Sequence, residues 1–88
     1  MISKEFTINC GDGFHLRPAQ VLMEAVTPFA SEVLLKVGDT VEANAKSILG
    51  LMSLGLEKGT HVIMLADGPD EEEAMAVIGK LFDDNFGE

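Results

Sequence analysis

The spacing of hydrophobic residues changes several times along the chain, and each change marks an element. Ile2, Phe6, Ile8 and Cys10 alternate with Ser3, Glu5, Thr7 and Asn9, with Lys4 as the polar member of the apolar register. A period of two predicts a half-buried strand, and Gly11-Asp12-Gly13 predicts the turn that ends it. Phe14 to Arg17 reads as a short loop, and Pro18 suits the first turn of a helix. Val21, Leu22, Ala25, Val26 and Phe29 then recur at helical spacing, which predicts an amphipathic helix over 17–27, ended by Pro28.

The period of two returns at Val33, Leu35 and Val37 and again at Val41, Ala43 and Ala45. With a Gly38-Asp39 turn between them, these runs predict a hairpin. Ser47 is a good N-cap and Gly55 a good stop, so Ser47 to Leu54 predicts one to two turns of helix. After a turn at Glu57 to Thr60, the stretch His61 to Ala66 holds so few polar residues that it predicts a central strand. Asp67-Gly68-Pro69 is another turn. Asp70 reads as an N-cap, and Glu71, Glu72 and Glu73 complement the helix dipole in the first turn. Ala74, Val77, Ile78, Leu81 and Phe82 define the clearest helix in the chain, and the tail from Asp83 to Glu88 is expected to fray. The order β-α-β-β-α-β-α predicts an α+β, two-layer sandwich in a single domain over residues 1–88.

Charge narrows the function classes. Lys and Arg total 6 against 15 Asp and Glu, for a net charge of −9 over 88 residues. That balance argues against binding to nucleic-acid phosphates or anionic membranes. Cys10 is alone, which excludes a disulfide framework or a cysteine zinc site within one chain. Met1-Ile2-Ser3-Lys4-Glu5 does not read as a signal peptide, and no apolar run approaches the ~20 residues of a membrane span. The expectation is a reduced, soluble, cytoplasmic monomer. No metal site is expected from two histidines without a matched carboxylate pair, and the Asp70 to Glu73 run lacks the spacing of a calcium loop. No cofactor is expected.

Two segments could carry chemistry. Gly13-Phe14-His15-Leu16-Arg17-Pro18-Ala19 places a histidine just before a helix start, with an arginine two residues on. A helix start offers unpaired N–H groups and partial positive charge, which suit an anion. Arg17 adds planar donors that fit phosphate oxygens. An imidazole offers a nucleophilic nitrogen near neutral pH. Together they make a device for taking a phosphoryl group, although ordinary loop residues account for an isolated His-x-Arg equally well. Ser47 is the second candidate. As an N-cap it needs no further role, yet a phosphate there would put ~−1.5 to −2 of charge beside Ile48, Leu49 and Met52. Those three cannot all be buried on a short helix, so exposed apolar surface is expected there, and such surface marks partner sites. His61 and Cys10 read as structural.

Gly13-Phe14-His15-Leu16-Arg17-Pro18-Ala19 and the stretch from Ala45-Lys46-Ser47-Ile48 to Leu54-Gly55-Leu56 together resemble HPr, the histidine-containing phosphocarrier family of the bacterial phosphotransferase system. The resemblance covers nearly the whole chain. It implies a four-stranded antiparallel sheet of order 1-4-2-3 with three helices on one face. It implies that His15 accepts a phosphoryl group through Nδ1 from enzyme I and passes it to enzyme IIA domains of sugar transporters. Arg17 would neutralise the phosphate, and N–H groups of Leu16 and Arg17 would bind its oxygens. Phe14, Ile48, Leu49 and Met52 would form the partner interface. Ser47 matches the regulatory serine of one branch, which HPr kinase/phosphorylase modifies and a CcpA-type regulator reads in catabolite repression. Leu16 stands where many members carry a small residue, and the charge is more acidic than the family's usual balance.

A purely regulatory module of the same fold, acting through phospho-Ser47 alone, is the first alternative. An acyl carrier protein, also small and acidic with a modified serine, is a remote one. That family is all-helical and carries Asp-Ser-Leu, whereas Ser47 sits in Lys-Ser-Ile. The resemblance implies a phosphotransfer carrier rather than a stand-alone enzyme.

Overall fold

A computed structural model describes residues 1–9, 14–38 and 40–87. Its elements are β1 (Ile2–Thr7), α1 (Leu16–Val26), β2 (Glu32–Val37), β3 (Val41–Asn44), α2 (Ile48–Ser53), β4 (His61–Asp67) and α3 (Glu71–Asp83), followed by a 3-10 turn at Asn85–Gly87. The strands form one antiparallel sheet in the order β1-β4-β2-β3, and three helices cover one face of it. This is the expected α+β open sandwich.

The sheet order follows from which strands can afford burial. Val62, Met64 and Ala66 of β4 are buried on the helix side, as are Val33 and Leu35 of β2. These two strands are central. The edge strands β1 and β3 carry most of the exposed polar residues, which blunts the unpaired edges. Lys4 pairs opposite Met64 in the core register but stays exposed on the β1 edge. Leu22 and Val26 of α1, Leu51 of α2 and Ile78 of α3 complete the core. Each of these large side chains contributes about 1.5–3 kcal/mol on burial. On the opposite face Ser3, Glu5, Ile63 and Glu42 are exposed.

Four expectations need correction. The helix predicted over 17–27 starts at Leu16 and ends at Val26, so Leu16 and Arg17 are helical and His15 is the N-cap. The chain leaves β4 one residue later than predicted, at Asp67. Asp70 occupies the N-cap position of α3 but makes no side-chain cap bond. Its carboxylate instead accepts the N–H groups of Ala30 and Ser31 at 2.9 and 2.8 Å, together with the Ser31 hydroxyl. Three donors from the α1–β2 connection outcompete one local N–H. The tail does not simply fray: Phe86 is buried at 4% exposure, because two aromatic rings give it somewhere to pack. The turn at Gly11-Asp12-Gly13, the placement of Cys10, and Asp39 and Glu88 lie outside the described residues.

Candidate functional site

His15 stands at the entry to α1 with extended backbone, φ −85° and ψ −171°. It is half-buried, and its carbonyl accepts the Ala19 N–H at 3.1 Å, which closes the first helical turn. Pro18 is the third residue of α1 and brings no N–H. The N–H groups of Leu16 and Arg17 therefore remain as the donors of the first turn that the helix ladder cannot use. That turn carries no acidic residue. In α3, by contrast, Glu71, Glu72 and Glu73 occupy the corresponding turn. Arg17 is exposed, so its guanidinium extends from the same turn into solvent. Imidazole, guanidinium and two backbone donors at one helix end form an arrangement suited to a phosphoryl group.

Phe14 sits differently from the other predicted interface residues. It is buried at 4% exposure and belongs to the core. Its N–H donates to the Leu56 carbonyl at 2.9 Å, which ties the His15 segment to the chain leaving α2. Its ring meets Phe86 edge-on at 5.4 Å and 78°. Phe14 supports the site from below and has no ring face to offer a partner.

Ser47 caps α2 as expected: its Oγ accepts the Gly50 N–H at 3.2 Å. Beside it the Lys46 ammonium donates to the Phe29 carbonyl at 2.6 Å, just beyond the end of α1. The apolar residues of α2 divide as its width requires. Leu51 is fully buried and Ile48 half-buried against the core, whereas Leu49 is 81% and Met52 38% exposed. α1 and α2 pack against each other, and Leu16 on α1 is 56% exposed. His15 and Ser47 thus cap neighbouring helices that both present exposed aliphatic side chains.

Residues 2–84 match the family described as PTS HPr component phosphorylation site. The chain belongs to the HPr family. It is 36% identical over 88 residues to the phosphocarrier protein HPr of Treponema pallidum, covering 100% of this chain and 99% of that one. Among solved structures it superposes on HPr from Thermoanaerobacter tengcongensis with a TM-score of 0.93 at 38% identity, covering 100% of this chain and 98% of that one. It also resembles the Bacillus subtilis catabolite repression protein Crh, with a TM-score of 0.74 at 34% identity and 97% of each chain covered. The four-stranded sheet shared with HPr structures removes the all-helical acyl carrier alternative.

Among the described residues, no group of three or more His, Cys, Asp or Glu side chains could hold a metal ion, and no helix is long and apolar enough to cross a membrane. His61 begins β4 and shares a 3.1 Å contact between its Nδ1 and the Thr7 hydroxyl. Residue spacing carries no sign of the Asp70–Ser31 bond, of the burial of Phe14 or of the burial of Phe86. Phe86 reaches Phe82 through the left-handed turn at Asn85 and Phe86, not through the helical spacing of four.

Proposed function

We propose that this chain is a phosphocarrier in which His15 accepts a phosphoryl group from phospho-enzyme I and delivers it to enzyme IIA domains. The bond between phosphorus and its donor on enzyme I breaks as the His15 Nδ1–P bond forms. That N–P bond breaks in turn when the next acceptor attacks. Such transfers proceed through a loose, in-line transition state, so alignment and charge stabilisation supply most of the rate. Arg17 and the N–H groups of Leu16 and Arg17 meet the three equatorial oxygens. Leu16, Ile48, Leu49 and Met52 form the surface on which both partners dock, alternately, in the cytoplasm. The chain acts as a monomer and as one domain over residues 1–88. The observation that carries this reading is the position of His15: it caps a helix whose first turn holds Arg17 and no carboxylate.

Ser47 is the regulatory site in this proposal. HPr kinase/phosphorylase would modify it, and a CcpA-type regulator would read the product. Phosphate at Ser47 would lie beside exposed Leu49 and Met52 and would repel a docking partner without dismantling the fold. The similarity to Crh, whose description names catabolite repression, favours a second reading in which Ser47 signalling is the main role. The presence of His15 at the α1 cap favours the carrier.

One experiment separates them. The chain is incubated with phosphoenolpyruvate and purified enzyme I, and its intact mass is read before and after mild acid. An acid-labile phosphate adduct is expected. Its absence, followed by an acid-stable adduct with ATP and HPr kinase, would establish the regulatory module instead.

A further inference from the structure

The end of the chain reverses sharply after α3. Asn85 and Phe86 both take left-handed backbone, with φ of +51° and +55°, a conformation that asparagine adopts readily but that a bulky residue such as Phe86 holds only where its surroundings impose it. The reversal turns the Phe86 ring inward. It meets Phe82 edge-on at 4.9 Å and 69°, and Phe14 edge-on at 5.4 Å and 78°. Phe82 in turn lies flat on Phe6 of β1 at 4.3 Å and 11°. A chain of four rings therefore runs from the sheet edge to the residue immediately before His15. Phe14 is held on two sides, by the Leu56 carbonyl on its N–H and by Phe86 on its ring.

We propose that Phe86 is a positioning residue for His15. Braced by Phe82, its ring fixes Phe14, and Phe14 sets the path by which the chain enters α1 with His15 as its cap. This inference rests on the carrier reading of His15 given above. Phe86 does not touch the phosphoryl group and acts only through Phe14. Its contribution is alignment, and a displacement of about 1 Å at the reacting atom can cost ~100-fold in rate. Leu16, Leu49 and Met52 are exposed, whereas Phe86 is buried and cannot itself meet a docking partner. Loss of Phe86 should therefore lower the rate in the docked complex and leave docking itself intact.

The test is steady-state phosphorylation of the full-length chain by phosphoenolpyruvate and enzyme I, with the chain as varied substrate. If the unaltered chain acquires no acid-labile phosphate, the carrier reading falls and this inference falls with it. Normal labelling of the unaltered chain leaves the two separable. Phe86→Ala is then expected to lower kcat about tenfold with KM changed less than about twofold, and Phe86→Leu to recover most of the loss. An unchanged kcat in a Phe86→Ala chain with native circular dichroism, or a rise in KM alone, would overturn the inference. Should Phe86→Ala fail to fold, Phe14→Leu, Phe86→Leu and the double variant decide the matter. Action through Phe14 predicts a double variant no slower than the slower single one, whereas losses that multiply would refute it.

Discussion

Gly68 lies so close to Ser31 that a Cβ on the glycine would stand 2.6 Å from the Ser31 Cα. Its φ of +154° adds a second demand that only glycine meets without strain. The contact brings the turn after β4 against the end of the α1–β2 connection, at a fully buried serine. Gly68→Ala is expected to destabilise the fold by at least about 2 kcal/mol, since the clash is with backbone and cannot be relieved by a rotamer change. Urea unfolding measures it, and a loss below about 0.5 kcal/mol would show that the two segments separate easily.

The same junction carries a pH dependence. The Ser31 hydroxyl, the Ala30 N–H and the Ser31 N–H hold the Asp70 carboxyl below its ordinary value of 3.8. A carboxylate favoured in the folded state adds stability that is present above the unfolded value and lost as pH falls through the folded one. Glu71 behaves alike: the Met1 ammonium and the Gly68 N–H hold it below 4.5. Asp70→Ala should therefore be less stable than the unaltered chain at neutral pH, with the gap narrowing as pH falls below 3.8. A gap of equal size at about pH 3 and pH 7 would contradict this.

Substitutions at Ser47 should separate its two roles. Ser47→Ala removes the acceptor for the Gly50 N–H and is expected to cost about 0.5–2 kcal/mol of stability while leaving enzyme I affinity unchanged. Ser47→Asp keeps an acceptor and adds charge, so stability should hold while affinity falls about tenfold or more, read by titration calorimetry. Equal affinities for the two variants would argue that the α2 surface is not where enzyme I docks.

His15 holds the N-cap position of α1. His15→Ala should abolish the acid-labile adduct while the variant keeps a native circular dichroism spectrum. Retained labelling would place the phosphoryl group elsewhere, and His61, bonded to Thr7 at the start of β4, would be the residue to substitute next.

Much of this protein is legible along the chain because its causes are local. The unbroken apolar run from Val62 to Ala66 marks a central strand from composition alone. Ser47 caps α2 through a bond spanning three residues. The association of His15 with Arg17 and Pro18 at a helix start is equally local. The sheet order, by contrast, came from resemblance to HPr and not from any period in the sequence.

Tertiary structure decided what depends on distance between segments far apart in the chain. Asp70 had a local N–H to cap, yet it bonds Ser31, 39 positions away, because the fold brings three donors to its carboxylate. Phe14 was expected on the surface and Phe86 in a frayed tail, yet the two rings meet and bury each other. Sequence alone determined the succession of elements and the Ser47 cap, since each is set by neighbours within a turn or two. Which long-range partner each polar or aromatic side chain takes was settled only by the packed structure, where several candidate partners compete for the same few ångströms.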